Sequence, residues 1–423
     1  MKRVNFLILT LLFVVDLFAF PADSIKAKDT LILSIEELDV LFLKKNYALL
    51  AQKYNVDIAE AGIRQARLFY NPVLFYENVL YNPVHHKFFD NSTPYGERIV
   101  QIQQLVSLGG KRSKLVRLAE VNKNLQSYAF YDLIRVLRFQ LFSDYALIYG
   151  DLKKLQLLLQ ERDKLRLLVE VFQMQFKQGM IAGYELTRIQ FEMQTIETNI
   201  NQLVSEITET QSRLRMLIHA NPGTFIKPSS LPLEDKFVPT YQAIIDSAIS
   251  NRPDLKIADA QIDYSEKSLA LQRASAIPNI TLGATYDRFG NAFNNYTGVN
   301  IGLDLPVFNR NQGNIKIAEL ELENSKAGAE NSKLQVLQDV DEAYTKYINS
   351  KNLITSIDPA YKTNLTFIGD QAIKNYNQRV INLLDFMDKM RTYKNGQLGL
   401  IDLDLNYFYC RQYLNYVSNT LFF

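Results

Sequence analysis

FKQGMIAGYEL at residues 176–186 and YNQRVINLLDF at 376–386 stand in register at a shift of 200. Upstream of each runs a very long helix-like stretch. Before that stretch comes a turn, LVSLGGKR (105–112) or LPVFNRNQG (305–313). Two short strand-like segments precede each turn, and a proline, Pro72 or Pro278, precedes the strands. Each proline closes a polar, helix-like run that begins at Leu49 or Leu255. A chain that repeats helix, hairpin, long helix and returning helix is duplicated, and the duplication is its architecture. The expected class is α+β, mainly α, in one elongated body of two similar halves. The first repeat is 23–219 and the second is 241–423. Pro222, Pro228, Pro232 and Pro239 crowd the linker at 220–240.

Punctuation sets the helices. Ser34 and Glu37 form a capping box that predicts a helix start. Asn251 and Pro253 are read as opening its counterpart, because proline suits a first helical turn. Between Ser113 and Gln178 there is no proline and only one glycine, Gly150. A helix of about 66 residues would be about 100 Å long, which suits a bundle or a tube. The second long stretch, Asn314 to Gln378, is interrupted by Asp358-Pro359, which predicts a stop and restart or a kink. After Tyr184, apolar residues at Met193, Ile196, Ile200, Leu203, Ile207, Leu214 and Leu217 make a narrow seam. Leu158, Leu165, Leu168 and Phe172 carry the same spacing on the preceding helix, and Gly179 and Gly183 mark the reversal between them. A structural coiled coil fits this seam equally well.

Composition narrows the partners. Lys+Arg 47 against Asp+Glu 45 gives a net charge of +2, so no bulk attraction to nucleic acid is expected. The single cysteine, Cys410, excludes an internal disulfide and a zinc cluster built on thiolates. His85-His86 has no third ligand nearby and reads as a solvated loop. Residues 1–22 read as a secretory signal, with Lys2 and Arg3 before an apolar core from Phe6 to Val15 and Ala19 or Ala22 before the cut. No cysteine follows that core, so no lipid-anchored N-terminus is expected. No later stretch has the ~18 apolar residues of a spanning helix. If the exported chain meets a membrane, it does so with strands.

The strands expected at about 279–288 and 296–305 alternate cleanly. Ile280, Leu282, Ala284 and Tyr286 share one face, as do Val299, Ile301, Leu303 and Leu305. Asn279, Thr281, Thr285, Asp287, Asn300 and Asp304 take the other, the pattern of a lipid-facing wall with a wet lumen. A soluble hairpin packed on the helices is the competing reading. Strands at about 73–82 and 95–106 alternate less cleanly, and Tyr70, Phe75, Tyr76, Tyr81 and Tyr95 are candidate aromatic-belt residues. Four strands cannot close, and an open edge in lipid leaves backbone groups unsatisfied. Several copies must therefore share one barrel: two would give eight strands and three would give twelve.

Over nearly its whole mature length the chain resembles the TolC-like outer-membrane efflux proteins, in the order and spacing of these elements. The resemblance implies a homotrimer, with a twelve-stranded barrel in the Gram-negative outer membrane continuous with a twelve-helix periplasmic tunnel. It implies passive conduction from an inner-membrane pump, of the resistance-nodulation-division or ABC type, through a periplasmic adaptor. LPVFNRNQGNIKIA (305–318) is most similar to the branch serving heavy-metal pumps, where a proline and a Phe-Asn-Arg-Asn-Gln-Gly run join strand to helix. The two hairpin turns then become the tunnel tip, with Gly179, Met180, Arg379 and Val380 expected to meet the adaptor. Arg379 stands where the family usually has glycine, which puts the second turn's geometry in question. Asp385 and Asp388 match the family's acidic residues inside the tip, and three copies would make two carboxylate rings that favour cations. Their spacing of three also fits a plain solvated helix face. Glu185 is the first-repeat equivalent of Asp385, and Tyr376 is expected to narrow the closed aperture.

Catalytic signals are absent. GGK at 109–111 lacks the upstream glycine of a phosphate loop, and Arg112 replaces its Ser/Thr. No G-x-S-x-G, H-E-x-x-H or paired-cysteine motif occurs. No enzyme, cofactor or metal site is expected. The rival functions are an outer-membrane duct for drug efflux or type I protein secretion, and a secreted coiled-coil scaffold without a pore.

Overall fold

A computed structural model describes residues 29–92, 96–234, 238–289 and 293–423. The signal sequence, Pro94 and Tyr95 lie outside the described residues. The first repeat opens with β1 (Asp29–Leu33), α1 (Ile35–Lys45) and α2 (Tyr47–Ala66). Ser34 caps α1 as its sequence requires: the Glu37 N–H donates to Ser34 Oγ at 3.2 Å, and the Ser34 N–H donates to Glu37 Oε2 at 2.8 Å. Strand β2 (Val73–Asn78) is shorter than expected. Instead of continuing, the chain folds a small hairpin of β3 (Tyr81–Asn82) and β4 (Lys87–Phe88) before β5 (Glu97–Val106). His85 Nδ1 lies 2.8 Å from Asp90 Oδ2, while His86 Nδ1 lies 3.0 Å from the Tyr81 hydroxyl. The two imidazoles thus serve different partners in one loop.

Helix α3 (Lys111–Lys177) runs 67 residues without a break, a rod of about 100 Å. Its glycine, Gly150, is a contact point and not an interruption. A Cβ there would lie 2.3 Å from Leu405 Cδ1, so the missing side chain lets two helices approach. Helix α4 (Gly183–Ile218) returns antiparallel to α3, and its seam residues Ile189, Ile196, Ile200, Leu203, Ile207 and Leu214 are buried. Strand β6 (Thr224–Pro228) then pairs in parallel with β1.

The second repeat follows the same order: α5 (Tyr241–Asn251), α6 (Pro253–Ser275), β7 (Ile280–Phe289), β8 (Phe293–Leu303), α7 (Gln312–Ser356), α8 (Pro359–Asn377) and α9 (Leu383–Ser418). Pro253 sits in the first turn of α6, but Asn251 does not cap it. Asn251 is the last residue of α5, and Arg252 takes the cap position. No side-chain cap bond forms there; the Arg252 guanidinium instead binds Asp254 Oδ2 at 2.6 Å and Asp339 Oδ2 at 2.9 Å. At Asp358-Pro359 the helix ends and restarts: α7 stops at Ser356, and Asp358 Oδ1 accepts the Ala360 N–H at 2.8 Å as the cap of α8.

Packing places the helices in two rows. Nearest the strands, α2 packs on α3, α3 on α6, and α6 on α7. Farther away, α4 packs on α3, α3 on α9, and α9 on α8. The largest buried cluster joins Leu38, Phe42, Tyr145, Ile148 and Ile226 to the α3–α4 seam down to Phe172 and Ile189. A second, around Val340, Tyr347, Tyr407 and Leu414, holds the other repeat. Among the described residues, no helix is long and apolar enough to cross a membrane.

Candidate functional site

Two features have no work to do inside a single chain: the sheet and the helical tip. The sheet is four-stranded, in the order β2-β5-β7-β8, antiparallel throughout, with β2 and β8 at open edges. Register sorts its faces. Ile280, Leu282 and Ala284 stand opposite Leu303, Ile301 and Val299 on one side and Val106, Gln104 and Ile102 on the other. Val299 is 82% exposed and Ile301 72%, so no helix covers this face. It spans about 20 Å from Val106 to Val100 at the usual strand rise. Beyond Val100, Arg98 pairs with Arg288, which ends the apolar band in charge.

Across β7 and β8 the opposite face is small and polar, while toward β2 it also carries Leu105, Ile99, Phe75 and Val73. Thr281, Gly283, Thr285 and Asp287 share it with Gly302, Asn300 and Gly298 of β8 and Gln103 and Gln101 of β5. Gly283 makes room for its neighbour: a Cβ there would meet Asn300 Oδ1 at 2.4 Å. Four of the six residues read from the sequence as lumen-facing, Thr281, Thr285, Asp287 and Asn300, lie together here. Asn279 and Asp304 fall just outside the strands, at the sheet's root. There Lys111 Nζ, from the first turn of α3, donates to Asn279 Oδ1 at 2.6 Å and ties sheet to helix. Two carboxylates missed in the sequence join this face. Glu77 pairs with Ile99, Ile99 with Asp287, and Glu97 lies one alternate position away. The poorer alternation of the first-repeat strands concealed them.

The tip consists of two turns of the same design. Gln178 caps α3, Gly179 follows with φ +70°, the Gly179 N–H donates to the Phe176 carbonyl at 2.9 Å, and the Met180 N–H donates to the Gln175 carbonyl at 2.9 Å. This is the paired-bond helix end that satisfies orphan carbonyls. In the second hairpin Arg379 has φ +58°, its N–H donates to the Tyr376 carbonyl at 3.0 Å, and the Val380 N–H donates to the Asn375 carbonyl at 2.9 Å. The departure from glycine leaves the turn's form unchanged. Met180 and Val380 both project, 69% and 67% exposed.

Glu185 and Asp385 occupy the third positions of α4 and α9. Carboxylates there favour the positive end of a helix, so each has a local reason to be acidic. The Asp385 N–H also donates to Asn382 Oδ1, the cap of α9, at 2.9 Å. Asp388 lies nearly one turn further along, exposed like Asp385. The Tyr376 ring is half-buried, with Phe172 of α3 at 6.2 Å and Phe386 of α9 at 4.8 Å. Burial, then the nearby Glu185 charge, push its hydroxyl pKa up. It cements the two hairpins within one chain.

Behind the tip lies an ion cluster not visible in the sequence. Lys394 Nζ of α9 reaches Glu192 Oε1 of α4 at 2.9 Å, and Arg391 approaches the same carboxylate at 3.6 Å. A sequence separation of 202 leaves no local trace of such a pair. Among the described residues, no group of three or more His, Cys, Asp or Glu is placed to hold a metal ion.

Comparison with known proteins agrees with this geometry. Residues 244–408 match the sequence model of the family described as outer membrane efflux protein. The chain is 28% identical over 239 residues to toxin and drug export protein A of Aggregatibacter actinomycetemcomitans, covering 54% of this chain and 52% of that protein. It is 22% identical over 288 residues to cobalt-zinc-cadmium resistance protein CzcC of Cupriavidus metallidurans, covering 67% and 65%. The chain thus spans from about half to two thirds of the length of these curated relatives. The Campylobacter jejuni CmeC outer membrane channel superposes with a TM-score of 0.73 over 91% of this chain and 85% of that one, at 12% identity. The second repeat is thus similar in sequence to the outer membrane efflux proteins, and the described length shares its fold with a solved outer membrane channel.

Proposed function

We propose that three copies assemble into the exit duct of a tripartite efflux pump. One observation carries this reading. The sheet has two unpaired edges and an uncovered apolar face, so a lone chain in lipid would leave two rows of backbone groups unsatisfied. Joining β8 of one copy to β2 of the next removes every edge and gives twelve strands. The duplication supports the same closure below the membrane. Within one chain α3 packs on α6, and repeat symmetry makes α7 packing on the next copy's α2 the equivalent contact.

In that assembly Thr281, Thr285, Asp287 and Asn300 line the barrel lumen, with Asn279 and Asp304 at its root. Asp385, Asp388 and Glu185 line the periplasmic aperture, and Tyr376 holds it closed by bridging the hairpins. Gly179, Met180, Arg379 and Val380 meet the adaptor. The carboxylates at both ends favour cations, and the CzcC likeness supports metal-ion cargo. The second reading, a drug or toxin duct, is supported by the likeness to the toxin and drug export protein. Deleting the gene and challenging cells with divalent metals and with drugs separates the two. Metal sensitivity alone supports the first reading, drug sensitivity alone the second.

A further inference from the structure

Between the two hairpins, above the tip, lies a cavity of about 210 Å³. Leu165 and Leu168 of α3, Ile373 and Tyr376 of α8, and Phe386 and Met390 of α9 form its apolar wall. One acid interrupts that wall. Glu161 is only 4% exposed, and its ionic partner, Lys164 Nζ, stands at 3.5 Å on a side chain that is 42% exposed. The other cation nearby, Lys394, is committed to Glu192 at 2.9 Å. Burial raises the Glu161 pKa, and the lysines only partly oppose the shift. A buried carboxylate with one long, flexible, solvent-reaching partner is poorly compensated.

We infer that this cavity is a binding site for a small lipophilic monocation, with its ammonium on Glu161 and its apolar body between α3, α8 and α9. The ammonium displaces Lys164, which is free to turn into solvent, and replaces a 3.5 Å contact with a short charge-assisted bond. Tyr376 and Phe386, their rings 4.8 Å apart, line the same cavity and offer aromatic faces to the apolar body. A neutral molecule of the same shape gains only the apolar contacts. An anion faces Glu161 directly. Because the walls come from both repeats, the ligand bridges the hairpins and favours the closed tip. The binding itself does not depend on whether three copies form a duct.

The test is calorimetric titration of the purified full-length protein with 3-phenylpropylammonium, 3-phenylpropanol and 3-phenylpropanoate. The ammonium is expected to bind at one site per chain, at least tenfold more tightly than the alcohol, with no binding of the carboxylate. Glu161→Gln should erase the preference for the ammonium over the alcohol. Lys164→Met removes the competing cation and should tighten ammonium binding severalfold, a gain that a misfolded variant does not mimic. Equal binding of amine and alcohol, or an affinity indifferent to both substitutions, overturns the proposal. So does the absence of a saturable site.

Discussion

Arg379 reproduces the backbone of Gly179, 200 positions earlier: both are left-handed, at φ +58° and +70°, and both end a helix by the same pair of hydrogen bonds. The two repeats share the turn, with glycine at one position and arginine at the other. The left-handed region is costly for a side chain bearing a Cβ and nearly free for glycine.

Arg379→Gly should therefore stabilise the second hairpin by about 0.5–1 kcal/mol, and Gly179→Ala should destabilise the first by about 1 kcal/mol. Thermal unfolding of the two variants beside the parent checks the signs. A destabilised Arg379→Gly protein would mean that the arginine side chain holds the turn through contacts of its own.

The acids of the aperture give an electrical prediction. Asp385→Ala combined with Asp388→Ala should reduce cation preference in a planar bilayer, because it removes all six carboxylates of the two proposed rings. Unchanged reversal potentials in a salt gradient would return both residues to an ordinary solvated face.

Lys394 is nearly buried and bound to Glu192. Removing Lys394 leaves Glu192 with the exposed Arg391 at 3.6 Å in place of its short bond, so Lys394→Ala should cost about 2 kcal/mol. Lys394→Met with Glu192→Leu strands no charge and should recover most of the loss. A double variant no better than the single one would show that the pair matters through packing.

Asp151 supplies a pH dependence. Burial raises its pKa to about 6, against partial relief from Lys154. A carboxyl whose folded pKa is raised holds its proton longer when folded, so stability falls as pH rises from about 4 to about 6 and then stays low. Asp151→Asn should match the parent below pH 4 and melt higher at pH 7.5. Lys154 keeps Asp402 at 2.6 Å as a partner in that variant. Melting temperatures that differ equally at both pH values would contradict the assignment.

Much of this architecture was legible because it is periodic or punctuated. The α3 rod follows from an absence of proline, the Ser34–Glu37 cap from a local motif, and the β7–β8 faces from strict alternation. What is not legible depends on distance or competition. Asn251 reads as a cap because it stands two residues before Pro253, but the preceding helix claims it and Arg252 takes the position. Strand β2 stops at Asn78 because the next residues close their own hairpin, with Tyr81 paired to Phe88. Tyr376 was legible as a tip residue, but its place between Phe172 and Phe386 needed the two hairpins side by side. The Glu161 cavity and the Lys394–Glu192 pair join helices far apart in sequence, where no periodicity reaches.

The pairing of β8 with the next copy's β2 is the claim on which the rest stands. It is tested by placing one cysteine in each edge strand, Leu74→Cys and Ile301→Cys, in a Cys410→Ser background, and treating intact membranes with a flexible thiol cross-linker. The account predicts dimer and trimer bands that need both cysteines, and a three-chain mass in detergent. A monomer in detergent, with no intermolecular product at any cross-linker length, would contradict it.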